Sequence, residues 1–136
     1  MIIIADSGGS KIDWRLIENN GTIGQASGPG FNPYYQPIED LQNSVKELLL
    51  PKIHQEVKKV FFYGAGVSSE KNQETIKSAF LEFFPAAHVE IGWDLLAAAR
   101  ALCGHEPGIA CIMGTGSNSC LYDGEKIIGN VANLGW

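Results

Sequence analysis

The chain opens with short apolar segments separated by turns. Apolar residues run without interruption from Ile2 to Ala5, and they alternate with polar residues from Ile12 to Ile17. The sequence Asn19-Asn20-Gly21 then leads into a further segment at 22–27. An unbroken apolar run indicates a buried strand, alternation indicates a strand with two unlike faces, and Asn-Gly favours a hairpin turn. The opening is therefore predicted to be an antiparallel meander of three strands.

Helices and strands alternate over the following residues. Apolar residues at helical spacing predict helices that begin at Pro37, after Ser68 or Ser69, and at Asp94. The apolar positions are Ile38, Leu41, Val45, Leu48 and Leu49 in the first helix, Ile76, Ala79, Phe80, Phe83 and Phe84 in the second, and Leu95, Ala98, Ala99 and Leu102 in the third. Buried strands are predicted over Val60–Tyr63 and Ala87–Ile91. Pro51 is expected to end or kink the first helix, with a further helical turn at 53–57, and Gly104 to close the third. This order predicts an α/β domain with a mixed sheet, the ribonuclease-H-like (actin-like ATPase) arrangement, over residues 1–107.

The opening pattern then restarts. An apolar segment at Ile109–Met113, a turn at Gly114-Thr115-Gly116, and segments at Ser117–Tyr122 and 126–131 repeat the meander. Residues 108–136 are therefore predicted to begin a second, similar and incomplete domain. Three strands without helices leave one sheet face uncovered, so we expect a fragment, or a form that needs a partner such as a second copy.

Composition narrows the class of protein. The chain has 136 residues, 18% charged residues and a net charge of −5. Lys and Arg form no run, which argues against nucleic acid or an anionic membrane as a partner. The opening apolar run is too short for a signal peptide or a membrane span. Three cysteines, Cys103, Cys111 and Cys120, are an odd number, and we expect reduced, mostly buried thiols in a cytoplasmic protein.

Two glycine-rich turns carry the candidate chemistry. The first spans Asp6 to Lys11 and the second spans Gly114 to Asn118, and each leads into a strand. Walker and dinucleotide-binding loops lead into a helix, so both classes are disfavoured. Small-residue hairpins expose backbone N–H groups, and two of them facing one cleft could clamp a polyphosphate. The alternative is two ordinary hairpins.

Individual polar residues suggest further roles. Asp6, at the end of a strand, is suited to Mg²⁺ held through water, and Lys11 could add a positive charge for phosphates. Asp94 could act as a general base, although Asp is also a common helix cap. Asn32 could bind sugar hydroxyls, although Asn is also a common turn residue.

These motifs resemble those of a known family. Asp6-Ser7-Gly8-Gly9-Ser10-Lys11 is similar to its first phosphate motif, usually Asp-Gly-Gly-Gly-Thr-Lys, and Gly114-Thr115-Gly116-Ser117-Asn118-Ser119 to its second. Asn32-Pro33 resembles its sugar-binding loop, and Asp94 with Ala97–Leu102 its catalytic helix start. The chain thus resembles the N-acetylglucosamine kinase branch of the BadF/BadG ATPase family, within the actin/hexokinase/sugar-kinase superfamily.

The resemblance implies transfer of the ATP γ-phosphate to the 6-hydroxyl of an amino sugar, with Asp94 as base and Mg²⁺ at Asp6. It implies phosphate contacts from Ser7, Gly8, Gly9, Ser10, Lys11, Gly114, Thr115, Gly116 and Ser117. It implies sugar contacts from Asn32, Asp94, Thr115 and Asn118. The family continues past a segment like 133–136 into a sugar loop, an adenosine-binding segment and a closing helix. We therefore expect this chain to need that C-terminal part as its partner and to be inactive alone.

Two other functions share the phosphate motifs. An activator ATPase for a radical acyl-CoA dehydratase needs cysteines that bridge an iron–sulfur cluster, and the three cysteines here lie in or beside predicted core elements. A non-catalytic sugar- or nucleotide-sensing module has no need of a base at Asp94. The kinase is favoured, while the identity of the sugar stays open.

Overall fold

The chain forms two compact units, Met1–Trp93 and Asp94–Trp136, each with its own sheet. The computed structural model describes residues 1–114 and 117–131. Thr115 and Gly116, both predicted site residues, lie outside the described residues. Within the described ranges, no helix is long and apolar enough to cross a membrane.

The first unit is built on a five-stranded mixed sheet. Its strands are β1 (Ile2–Ser7), β2 (Lys11–Ile17), β3 (Ile23–Pro29), β4 (Lys59–Gly64) and β5 (His88–Trp93). Their order across the sheet is β3-β2-β1-β4-β5. The first three are antiparallel neighbours, and β4 and β5 run parallel to β1. This is the ribonuclease-H-like order, so the predicted fold class is confirmed.

Two helices lie between the strands of this unit. Helix α1 (Ile38–Ser44) continues as a π-helical turn at Val45–Leu49 and a 3₁₀ turn at Leu50–Lys52, and α2 spans Glu70–Phe83. Pro51 has no N–H to donate to the preceding helical turn, which explains why the regular helix is lost before it. The further helical turn expected at 53–57 is wrong, because no helix is present there.

The core of the first unit joins the sheet to both helices. Trp14 of β2, Phe62 of β4 and Phe80 of α2 are fully buried and have ring centroids 5.7–6.4 Å apart. Aromatic pairs at these separations stabilise by about 0.5–1.5 kcal/mol beyond the area they bury. This packing holds in place the sheet whose strand ends contain the candidate site residues.

Strand β1 is longer than predicted. It was expected to end at Ala5, but Asp6 pairs with Asp13 on one side and with Tyr63 on the other, and Ser7 pairs likewise. Pairing on both sides holds these two residues extended. The hairpin turn is therefore only Gly8–Ser10, and Asp6 has a fixed position in the sheet.

The second unit begins with helix α3 (Asp94–Cys103), followed by β6 (Gly108–Met113), β7 (Ser117–Tyr122) and β8 (Ile127–Val131). The strands form an antiparallel meander in chain order, as predicted. Helix α3 packs against β6 and β7 and so belongs to this compact unit. The domain boundary expected at residues 107 and 108 stays a prediction.

One face of the second sheet is exposed within the described residues. Ala110, Cys120 and Tyr122 are buried, whereas the opposite face presents Ile109 (71% exposed) and Met113 (90% exposed). Alternation along β6 places Cys111 on the exposed face between these two. The prediction of mostly buried cysteines holds for Cys120, which is buried, but is wrong for Cys111, which is exposed; Cys103 is half-buried.

Candidate active site

The tip of the β1–β2 hairpin contains glycines that the fold itself does not require. The Gly8 N–H donates to the Lys11 carbonyl at 2.9 Å, and Gly8, Gly9 and Ser10 are exposed. A Cβ at Gly8 would meet the nearest atom at an ordinary 3.5 Å, and a Cβ at Gly9 would meet nothing within 4 Å. Neither glycine has a positive φ. Neither space nor backbone conformation demands glycine here, and an exposed backbone without side chains allows a ligand to approach closely.

The β6–β7 hairpin repeats this feature. A Cβ at Gly114 would meet nothing within 4 Å, and its φ is not positive. Ser117, where β7 begins, is exposed. Next to it, the Asn118 Oδ1 atom is buried and has no hydrogen-bond partner among the described residues. A buried carbonyl without a partner costs about 1–3 kcal/mol, so a ligand hydroxyl that donated to it would be favoured.

Asp6 lies in an environment that favours a bound cation. Partial burial, and then repulsion from Asp13 on the neighbouring strand, raise the pKa of the Asp6 carboxyl. A positive ion would relieve both effects. The described residues contain no cluster of three metal-ligating side chains. A single carboxylate such as Asp6 is a donor that suits Mg²⁺, which keeps several of its waters and takes one or two carboxylates together with phosphate oxygens.

Replacing Asp6 with asparagine is expected to stabilise the ligand-free chain at pH 7. A raised pKa means that folding favours the protonated carboxyl, so stability is present below the unfolded-state pKa and falls as pH rises through the folded-state pKa. The asparagine side chain would not ionise and would avoid this loss. Thermal denaturation between pH 4 and pH 7 should show a smaller decline for Asp6→Asn than for the wild type. A variant less stable than wild type at pH 7 would contradict this electrostatic account.

Lys11 is held by a neighbour on its own strand. Its Nζ lies 2.9 Å from Asp13 Oδ2, and the Ser27 hydroxyl donates to Asp13 Oδ1 at 2.9 Å. The hydrogen bonds from Lys11 and Ser27 lower the pKa of the Asp13 carboxyl. An exposed pair of this kind contributes little to stability, so Lys11 can turn toward a phosphate at small cost.

The Asn32 loop follows β3 and is ordered by hydrogen bonds within itself. Gln36 accepts from the Asn32 N–H at 2.8 Å and donates to the Gly30 carbonyl at 3.2 Å. The Asn32 Oδ1 atom accepts from the Tyr34 N–H at 3.0 Å. Because this oxygen already accepts a hydrogen bond within the loop, the side-chain amide nitrogen is the better candidate for a sugar contact.

Ser7 has a different role from the one expected. Its side chain is fully buried, accepting from the Phe31 N–H at 3.0 Å and donating to the Phe31 carbonyl at 3.1 Å. The single hydroxyl hydrogen is therefore used inside the protein. This geometry contradicts a phosphate contact from the Ser7 side chain and leaves the hairpin tip, Gly9 and Ser10, as the direct candidates.

Asp94 is the first residue of α3 and directly follows β5. It is half-buried, and its Oδ1 atom accepts from the Leu95 N–H at 2.8 Å. This bond satisfies one of the N–H groups left without a partner at a helix start. An N-cap side chain normally accepts from the second or third N–H of the helix, so the predicted capping and catalytic roles of Asp94 both stay predictions.

Sequence reasoning missed the supporting residues Asp13, Ser27 and Gln36. The position of Asp13 could have been predicted from the sequence. A hairpin turn at Gly8–Ser10 sets the register of β1 and β2, and in that register Asp13 pairs with Asp6. The turn between β2 and β3 sets their register in the same way, and in that register Ser27 pairs with Asp13. No sequence pattern indicated the role of Gln36, because its hydrogen bonds depend on the path of an irregular loop.

Comparison with solved structures relates the chain to kinases and actin-like proteins. It matches a Porphyromonas gingivalis protein described as a "putative N-acetylglucosamine kinase", with 40% identity and a TM-score of 0.89. The match covers 99% of this chain and 49% of that one, so the chain spans about half the length of this relative. No protein-family model and no curated protein matches the chain.

More distant structures share the fold. A ROK family protein from Streptococcus pneumoniae, in complex with sucrose, matches at 17% identity with a TM-score of 0.63, covering 98% of this chain and 50% of its own. MreB5 of Spiroplasma citri, bound to ADP, matches at 11% identity with a TM-score of 0.66, covering 96% and 50%. The chain has the actin-like ATPase fold, and its resemblance to N-acetylglucosamine kinases is confirmed.

Proposed function

We propose that this chain is the N-terminal part of an ATP-dependent sugar kinase that phosphorylates the 6-hydroxyl of N-acetylglucosamine. The observation that carries the proposal is a pair of hairpins with exposed glycines. Neither steric space nor backbone conformation requires glycine at these positions. The 40% identity to a protein described as a "putative N-acetylglucosamine kinase" supports the substrate.

Phosphate binding is assigned to backbone groups with supporting charges. Gly9 and Ser10 of the first hairpin and the Gly114–Ser117 segment of the second would donate N–H groups and hydroxyls to the ATP phosphates. Lys11 would contribute its ammonium group. Mg²⁺, held by Asp6 through water, would neutralise charge on the phosphates. Catalysis of phosphoryl transfer consists mainly of such positioning and charge stabilisation.

Sugar binding and proton transfer are assigned to side chains. The Asn32 amide nitrogen would donate to a sugar hydroxyl, and the unpartnered Asn118 Oδ1 would accept from one. Thr115 is a further contact implied by the family resemblance. Asp94 would accept the proton of the attacking 6-hydroxyl as general base.

The exposed face of the second sheet is assigned to the rest of the enzyme. Ile109, Met113, Leu121 and Val131 expose apolar side chains there. The relative is about twice as long as this chain, and we propose that a C-terminal part packs on this face. A homodimer through the same face is the alternative occupant. Neither nucleic acid nor a membrane is a proposed partner, and a cytoplasmic location is proposed.

The test is a coupled ADP-release assay on a polypeptide that extends this chain to the length of its relative. Turnover is expected with N-acetylglucosamine and should exceed turnover with glucose or N-acetylmannosamine. The 136-residue chain alone should give no turnover above the rate without enzyme. Equal turnover with all three sugars would contradict the substrate, and normal turnover by the short chain would contradict the need for a C-terminal part.

Gly9→Ala is expected to weaken MgATP binding while leaving the stability of the fold nearly unchanged. A Cβ at this position enters open space, so the melting temperature should stay within about 1–2 °C of wild type, as for an exposed substitution of small free energy. The methyl group would instead obstruct the backbone N–H groups and weaken MgATP binding by about tenfold or more, equivalent to about 1.4 kcal/mol. Isothermal titration calorimetry provides the affinity. Unchanged affinity would remove the functional reason for glycine here.

An activator ATPase is a second candidate because Cys111 is exposed rather than buried. A cluster shared between two copies takes four cysteine ligands, so each chain would have to supply a second cysteine in addition to Cys111. Iron analysis and the visible spectrum of anaerobically purified protein separate the two functions. The kinase proposal expects no iron, and one cluster per two chains would favour the activator.

A further inference from the structure

Ser7 connects three loops that follow three different strands. Its hydroxyl holds both backbone groups of Phe31, in the loop after β3. Its own carbonyl accepts from the Ala65 N–H at 2.9 Å, in the loop after β4. Ser7 is itself the last residue of β1, directly before the hairpin tip. One buried residue thus fixes the hairpin, the Asn32 loop and the β4–α2 loop to one another.

Direct backbone packing reinforces this connection. A Cβ at Gly30 would lie 2.2 Å from the Gly8 carbonyl oxygen and 2.6 Å from the Lys11 nitrogen. The loop that carries Asn32 therefore contacts the hairpin without any intervening side chain. On its other side, a Cβ at Gly66 would lie 2.5 Å from Asn32 Oδ1. Asn32 therefore packs closely against the β4–α2 loop.

We propose that Ser7 is a positioning residue that couples the β1–β2 hairpin to the Asn32 loop, so that phosphate bound at the hairpin tip adjusts and orders the loop proposed to bind sugar. This inference rests on the proposed function, since it takes the hairpin as a phosphate site. The reason is geometric: the hydroxyl bonds are the polar link between the end of β1 and Phe31, the residue directly before Asn32. Without the hydroxyl, the Phe31 N–H and carbonyl lose their buried hydrogen-bond partner. The loop is then no longer held in a fixed position relative to the hairpin.

The test uses ¹⁵N-labelled 136-residue chain and inorganic tripolyphosphate with Mg²⁺, followed by amide chemical shifts. In the wild type, the amides of Gly9 and Ser10 should shift, and those of Phe31 and Asn32 should shift with the same midpoint. In Ser7→Ala, the hairpin amides should still shift, and the shift at Asn32 should be lost. The control is Ile3→Val, which removes one buried methylene at the far end of the same strand and should keep the coupled shift.

Hydrogen exchange of the wild type provides a second measurement that needs no variant. The Phe31 amide should exchange about tenfold more slowly when tripolyphosphate is bound, because the loop is ordered with the hairpin. Shifts at Gly9 without any change at Asn32 or in Phe31 exchange would overturn the coupling and leave the phosphate site standing. Retention of the Asn32 shift in Ser7→Ala would also overturn it. No shift at Gly9 and Ser10 would contradict the proposed function itself, and the coupling with it.

Discussion

Asp94→Asn is expected to lower kcat of the extended kinase by about 10²–10⁴-fold while the dissociation constant for the sugar stays nearly unchanged. Asparagine has the same shape and keeps an Oδ1 atom, so the hydrogen bond from the Leu95 N–H can persist and α3 can still begin at this residue. What asparagine lacks is the ability to take a proton from the attacking hydroxyl. Steady-state kinetics and sugar titration by calorimetry separate the two effects.

Asp123→Asn is the matched control. Asp123 also accepts backbone N–H groups through Oδ1, from Glu125 and Lys126, but it lies in the exposed turn between β7 and β8. This variant should retain wild-type turnover. Turnover of Asp94→Asn within a few-fold of wild type would exclude Asp94 as the base. Equal losses of turnover and of sugar affinity would assign it to binding instead.

Gly30→Ala is expected to destabilise the first unit by about 1–3 kcal/mol or more and to weaken phosphate binding at the hairpin together with it. The new methyl group would overlap the Gly8 carbonyl and the Lys11 nitrogen, and backbone atoms cannot rotate away as a side chain can. Either the hairpin or the Asn32 loop must therefore move. Urea denaturation measures the stability, and tripolyphosphate titration measures the binding.

Gly24→Ala is the control for this change. Gly24 lies in β3, the strand that leads to Gly30, and a Cβ there would meet Leu16 at an ordinary 3.7 Å. This variant should be neutral or slightly stabilising, since alanine restricts the unfolded chain. If Gly30→Ala matched Gly24→Ala in stability and in phosphate binding, the direct packing of loop and hairpin would not matter to either.

Local sequence patterns predicted most of the fold. Alternation and turn residues placed the eight strands of the described residues to within a few positions, because each signal is local: Asn20-Gly21 for a hairpin, Pro37 for a helix start. Strand ends were less predictable. Asp6 and Ser7 stay extended because β4, more than fifty positions later, pairs with them, and no local pattern carries that information.

The candidate site was predictable in kind but not in detail. Glycines, Asp6, Asn32 and Asp94 could be chosen because their residue types suit phosphate, metal, sugar and proton transfer. The role of Ser7 could not, because its partner Phe31 is 24 positions away and comes close only when the loop folds back. The exposure of Cys111 likewise depends on which face of its sheet α3 covers.

The central proposal is that both glycine hairpins bind phosphates of ATP. The direct test is a titration of the ¹⁵N-labelled chain with MgATP, followed at the amides of Gly9 and Gly114. The claim predicts that both signals shift along one binding curve with a stoichiometry of one ATP per chain. Shifts at one hairpin only, or at both with different midpoints, would contradict it.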